Sequence, residues 1–121
     1  MNSKKTLVLG ASDNPQRYSY KAITALLRKG HAVVAVGNRE TSVLGVDILR
    51  QPPETGEIDT VTLYLNPKNQ EPYYDSIMKL KPKRIIFNPG TENRELERMA
   101  DAAGIEVVEG CTLVMLAAGN Y

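Results

Sequence analysis

Gly10, Ser12 and Arg17 stand close together in "LVLGASDNPQRYSYKA", residues 7–22, where an apolar run passes through a single glycine into a helical pattern. A strand that feeds a helix start exposes unpaired backbone N–H groups and the positive end of the helix dipole, and both favour an anion. Ser12 adds a hydroxyl donor there, and Arg17 a full positive charge within a turn. The chemistry these residues suit is phosphate recognition. A dinucleotide fingerprint G-x-G-x-x-G would need glycines at 10, 12 and 15, where this chain has Gly10, Ser12 and Pro15. Gly10 can still make the tight turn, but Ser12 brings a β-carbon where a pyrophosphate needs bare backbone, which disfavours close packing of NAD. The plainer alternative is that Ser12 and Asn14 cap the helix and Arg17 is solvated surface.

A second candidate group follows the next apolar run. NAD enzymes want an acid there for the ribose hydroxyls, and "VGNRE" offers Asn38 and Arg39, with Glu40 one step late. A cation at this place suits a ligand with a phosphate on its adenosine ribose, which describes NADP and coenzyme A. The planar fork of Arg39 can grip such a phosphate in bidentate fashion, or it is plain surface. Tyr64, at a strand end, is the aromatic best placed to stack on adenine. Tyr18, Tyr20, Tyr73 and Tyr74, at helical spacing, read as core or rim packing, and the four methionines as core filler.

Groups for proton transfer or attack are poorly placed. His31 opens the second strand at the amino edge of the sheet and Ser12 lies at the carboxyl edge, roughly 16 Å away at ~3.3 Å per residue, so no Ser-His pair forms. Cys111 has no evident cation to lower its pKa and reads as a buried small hydrophobe. The carboxylates scatter over helix faces, where solvation is the default. Binding without catalysis is the better reading.

The elements that must hold these residues alternate. Nearly continuous apolar, β-branched runs at 6–9, 32–36, 60–65, 84–87 and 106–108 read as strands covered on both faces, with a short edge ribbon at 46–49. Tyr18, Ala22, Ile23, Leu26 and Leu27 share one helical stripe that ends before Gly30. "NQEPYYDSIMKLK" is a second helix that Pro72 must start or bend. Thr91 is the expected N-cap of a third, with Leu96, Met99, Ala100 and Ala103 inward and Gly104 at its end. Residues 112–118 close the chain as a mostly buried helix. The fold class expected is α/β, a three-layer, doubly wound parallel sheet in the order 3-2-1-4-5, its ligand crevice outside the carboxyl ends of the first and fourth strands. On that order the loops "GASDNPQR" and "NPGTEN" flank the crevice, while "NPKN" and "EGCT" are as easily ordinary loops.

With 121 residues, 42% hydrophobic and 24% charged, the chain fits one domain, 1–121, of an ordinary globular protein. A formal net charge of +1 lacks the basic excess of a nucleic-acid binder. One cysteine, and no Cys/His cluster at metal-ligand spacing, suit a reducing cytoplasm. The run "TLVLGA" is too short for a signal sequence, and "CTLVMLAA" falls far short of the roughly 20 residues a membrane span takes. A small-molecule partner, with no nucleic acid and no membrane, is expected.

Taken with their surroundings, "GASDNPQRYSYKAITALLRKGHAVVAVGNR", the "LG" before the ribbon, "IDTVTLYL" and the late "AAGIEVVEGCTLV" resemble the small bacterial CoA-binding proteins, related in fold to the N-terminal domain of the succinyl-CoA synthetase alpha subunit. The resemblance covers nearly the whole chain. It implies a stand-alone Rossmann-like domain that holds coenzyme A, acyl-CoA or a related adenine nucleotide. Its nucleotide contacts would map onto Gly10, Ala11, Ser12 and Arg17, onto Gly37, Asn38 and Arg39, and onto Tyr64. Where those proteins show Asn-Pro and a basic residue, this chain has "GNR", which keeps the cation; where they show Gln-x-Gly, it has "FNPG", which leaves Asn88 without a role. The synthetase's phospho-accepting histidine belongs to a domain absent here. The rival reading is an NADP-binding oxidoreductase or its cofactor-binding subunit, and a third is an interaction domain whose pocket stays empty.

Overall fold

Four consecutive residues of Thr6–Leu9 (β1) are fully buried, as a central strand covered on both faces must be. The computed structural model describes residues 3–121. After β1 come α1 (Tyr18–Arg28), β2 (Val33–Val36), β3 (Thr41–Val43), β4 (Val46–Leu49) and β5 (Thr60–Leu63). Then follow α2 (Pro67–Gln70), α3 (Tyr74–Leu80), β6 (Arg84–Phe87), α4 (Arg94–Ala102), β7 (Glu106–Glu109) and α5 (Thr112–Ala118). A 3-10 turn, Glu71–Tyr73, joins α2 to α3, so Pro72 breaks the expected single helix in two.

The strands form one sheet in the order β3-β4-β2-β1-β5-β6-β7, parallel throughout except for the β3–β4 pair. The α/β, doubly wound, Rossmann-like class is as expected, but the order 3-2-1-4-5 is not. The 60–63 strand pairs with β1, not β2, in the register Thr6↔Thr60 to Leu9↔Leu63. Beside β2 lies β4, the short 46–49 ribbon, paired in parallel through Ala35↔Ile48 and Val36↔Leu49. The reason is the connection. A crossover from β2 to a parallel neighbour normally uses a helix, and none lies between β2 and β5. Instead β3 runs out, Leu44 (φ 49) and Gly45 (φ 83) turn the chain, and β4 returns parallel to β2. With that place filled, the next strand goes to the far side of β1. The reversal of strand order therefore falls between β1 and β5.

Period-two alternation along the strands splits the core into two layers. Leu7, Leu9, Val61, Leu63, Ile85 and Phe87 face Ile77 and Leu80 of α3 and Leu96 and Ala100 of α4. Val8 and Ala35 face Ile23 and Leu26 of α1 and Leu116 of α5. Each fully buried Leu or Ile contributes about 1.5–3 kcal/mol over its exposed state. Several expected positions differ. Asn93, not Thr91, caps α4, accepting the Glu95 and Leu96 N–H groups. Ala103 is exposed, and α5 buries only Thr112 and Leu116 while Val114 stays open, because the sheet covers it from one side alone. Tyr18 stands outside the apolar stripe of α1 at 68% exposure.

At the amino edge of the sheet, the Lys4 N–H donates to His31 Nδ1 at 2.9 Å, and the His31 ring lies 5.0 Å from that of Tyr121. The Arg84 guanidinium also lies over the Tyr121 ring, 4.4 Å from its centroid. Among the described residues no helix is long and apolar enough to cross a membrane.

Candidate functional site

A cavity of about 730 Å³ opens at the carboxyl ends of the strands where their order reverses, within the usual range for a small-molecule site. The loop after β1 forms its floor. Gly10, at φ +98, turns the chain there, and a β-carbon on it would stand 3.0 Å from the Tyr64 carbonyl. Gly37 is needed for a different reason, since a β-carbon there would overlap the Ala11 carbonyl oxygen. The two glycines let the ends of β1, β2 and β5 draw together under the cavity.

The N–H groups of Gly10 and Ala11 are both spent on the Val36 carbonyl, at 2.8 Å each. The donors left over lie further along. Ser12 and Asp13, and Tyr18 and Ser19 at the start of α1, have backbone N–H groups with no partner among the described residues. Nor is α1 capped by a side chain. Its N-cap is Arg17, whose side chain makes no capping bond, while Ser12 Oγ accepts from Asn14 N and Asn14 Oδ1 from Gln16 N, each at 3.0 Å. Capping of α1 by Ser12 or Asn14 is thereby corrected: their bonds close turns before the helix. An eleven-residue helix thus points an uncapped positive end into the cavity, with Arg17 and Ser12 in the wall.

Of the residues singled out by sequence, Gly10, Ala11, Ser12, Arg17, Gly37, Asn38 and Tyr64 all line the cavity. Arg39 does not. Its guanidinium turns to Asp13, Nη2 donating to Oδ2 at 2.5 Å. The Thr41 hydroxyl donates to the same oxygen at 3.1 Å, and these two contacts hold the Asp13 carboxyl below its ordinary range, Thr41 most. Tyr64 turns its ring into the α1 side of the core, where its hydroxyl is buried without a hydrogen bond and burial pushes the phenol up to about 12. The Thr62 and Thr112 hydroxyls beside it are engaged with each other at 2.8 Å.

The far wall comes from two loops, "NPGTEN", expected at the crevice, and "NPKN", which the sequence left as easily an ordinary loop. Because β5 rather than β6 adjoins β1, "NPKN" belongs to the crevice, and Leu65, Asn66, Asn69, Pro72 and Tyr73 line it. Pro89, Gly90 and Thr91, after β6, complete the wall. Gln70 pins both loops from within. It is fully buried, and its Nε2 donates to the Leu65 and Thr91 carbonyls at 2.8 Å each, while its Oε1 accepts from Asn93 Nδ2 at 2.8 Å. Asn88 acquires a role as well: Nδ2 donates to Thr62 Oγ1 and the Leu63 carbonyl, and Oδ1 accepts from Thr112 N, tying β5, β6 and the start of α5. For Asn88 the signal was a polar residue directly after the apolar run 85–87; Gln70, among the polar residues 68–71, gave none.

Among the lining residues Arg17 is the one that carries a charge, and no carboxylate, imidazole or thiol faces the cavity. His31 lies at the opposite edge, and Cys111 is half-buried and free at the start of α5. No metal-ligating cluster of His, Cys, Asp and Glu occurs among the described residues.

The model of one protein family, described as a CoA binding domain, matches residues 4–117. A solved structure described as an uncharacterized protein is 52% identical, with a TM-score of 0.95 and all of both chains covered. A hypothetical protein from Pyrococcus horikoshii OT3 is 29% identical, with a TM-score of 0.87 over 97% of this chain and 84% of its own. The dinucleotide-forming acetyl-coenzyme A synthetase 1 of Ca. Korarchaeum cryptofilum shares the fold at 18% identity, with a TM-score of 0.71 over 90% of this chain and 26% of its own. No curated protein matches this chain.

Proposed function

Since this chain belongs to the CoA-binding domain family, we propose that its crevice holds coenzyme A, free or acylated, or a related adenine nucleotide, and holds it without transforming it. The phosphates rest at the start of α1, against the spare N–H groups of Ser12, Tyr18 and Ser19, with the Ser12 hydroxyl and Arg17 beside them. Gly10 and Ala11 shape that seat rather than donate to it. The ribose end lies toward Gly37, Asn38 and Arg39, and Tyr64 serves as wall, its hydroxyl being turned away.

The observation that carries this reading is the pairing of an uncapped helix start with a wall whose one charge is positive. An anion there gains hydrogen bonds the protein leaves unmade and meets no carboxylate in the wall. Carboxylates, imidazoles and thiols are missing from the same wall among the described residues, which favours binding and orientation over chemistry. The chain matches the acetyl-coenzyme A synthetase over about a quarter of that protein, so a synthetase's chemistry would have to come from elsewhere.

Thermal melts with coenzyme A, dephospho-coenzyme A, NAD and NADP test the reading. Coenzyme A at about 100 times its dissociation constant should add ~2.7 kcal/mol and raise the midpoint by several degrees. Arg17→Glu should weaken both coenzyme A forms together by at least about tenfold, since a charge-assisted contact becomes a repulsion. A shift with NADP and none with coenzyme A would transfer the site to the oxidoreductase reading.

A further inference from the structure

On the β2 side of the crevice, the loop after β1, the loop after β2 and strand β3 meet in one polar knot. Asp13 Oδ2 accepts from Arg39 Nη2 at 2.5 Å and from the Thr41 hydroxyl at 3.1 Å. The Arg39 side chain is 71% exposed and that of Asp13 34%. An ion pair so exposed to water and salt contributes little to stability. Its place is more informative. Arg39 follows Asn38, which lines the cavity, and Asp13 follows Ser12, which does so too. The pair therefore stands at the mouth of the site, with the cation expected to greet a ribose phosphate already engaged by a carboxylate of the chain itself.

We propose that Asp13 is a specificity-determining residue: by occupying the Arg39 guanidinium it makes a ribose phosphate compete with a built-in carboxylate, and so narrows the preference for phosphorylated over dephosphorylated adenylates. The proposal rests on the reading that the crevice takes an adenylate. A guanidinium offers five N–H donors in a fixed fork, so Arg39 can turn other donors to a ligand while one stays on Asp13. A phosphate dianion doing so comes within a few ångströms of the Asp13 charge and is repelled; a ribose hydroxyl meets no such cost and can donate to that carboxylate. Nor can Asp13 swing clear freely, because Thr41, fixed in β3, holds the same oxygen. The chain is thereby suited to take both forms of the nucleotide with similar affinity, where an unpaired arginine would select the phosphorylated one.

Calorimetric titration of coenzyme A and dephospho-coenzyme A into the full chain, Asp13→Asn and Asp13→Asn/Arg39→Ala tests this. Asparagine keeps the acceptor for Thr41 and removes the charge. The ratio of the two affinities should rise about tenfold in Asp13→Asn, the worth of one charge-assisted contact, and return toward the starting ratio in the double variant. An unchanged ratio in Asp13→Asn, with both ligands still bound, overturns the role of Asp13 and leaves the adenylate reading standing. A raised ratio that survives loss of Arg39 overturns it also, since another cation would then read the phosphate. Failure of the unaltered chain to bind either ligand removes the adenylate reading and this inference with it.

Discussion

Gly37 shows how one missing β-carbon can shape a cavity. Its N–H donates to the Leu49 carbonyl at 2.8 Å, which fixes it against β4, and its open side takes the Ala11 carbonyl at a distance no side chain allows. Gly37→Ala must push the β1–α1 loop outward. Forced overpacking of this kind costs about 1–3 kcal/mol. The urea midpoint should fall accordingly, and coenzyme A should bind more weakly because the Ser12 N–H group moves with the loop. A variant with the unaltered midpoint would mean that the loop yields freely and that the seat is not held from below. That a glycine, a hydroxyl and a guanidinium, all three of which line the cavity, come together near a helix start was legible in the sequence. Which atoms remain free to donate was not, since the Gly10 and Ala11 amides are lost to Val36 only once β2 lies alongside.

At the scale of elements, the strands at 6–9, 60–63 and 84–87 were readable because burial on both faces leaves little but apolar and β-branched residues. β4 was readable only as a ribbon. Its burial alternates, with just Ile48 well inside, and nothing local tells a parallel neighbour of β2 from the arm of a hairpin. The lack of a helical pattern between residues 37 and 60 was the clue that no ordinary crossover joins β2 to the 60–63 strand. Misplacing that strand moved the crevice one loop along, and with it went Asn66, Asn69 and the buried Gln70 that holds their loop. Gln70→Leu keeps the size and removes three hydrogen bonds, leaving Asn93 Nδ2 and two carbonyls short of a partner. Unsatisfied buried groups cost about 1–3 kcal/mol each, so the melting midpoint should drop by several degrees. Ligand affinity should drop as well, because Leu65 and Thr91 both line the cavity. Lost stability with full affinity would show that Gln70 supports the fold and not the site.

The two edges of the sheet gather different groups: the proposed phosphate seat lies at the carboxyl edge, and a cluster of basic and aromatic side chains at the amino edge. There Lys4, His31, Arg84 and Tyr121 meet, and the contact asks His31 to be neutral, because its Nδ1 accepts the Lys4 N–H at 2.9 Å. Burial holds the imidazole below its ordinary value, and the Lys4 and Arg84 charges add to this, with Asp59 opposing. The sign of the pH effect follows. A histidine whose folded pKa is depressed takes up its proton more readily in the unfolded chain, so its contribution is fully present above about pH 6.5 and is lost as pH falls through the folded pKa. Urea midpoints at pH 7.5, 6.5 and 5.5 should therefore decline more steeply for the unaltered chain than for His31→Asn, whose amide has no proton to gain over that range. The comparison between the two cancels the carboxylates, which titrate in both. Parallel declines would place His31 outside the linkage and leave the amino-edge contact indifferent to protonation. Coenzyme A affinity relative to the folded fraction should follow the same pH dependence in the unaltered chain and in His31→Asn, the ligand's own phosphate titrating in both, since roughly 16 Å separates the two edges of the sheet.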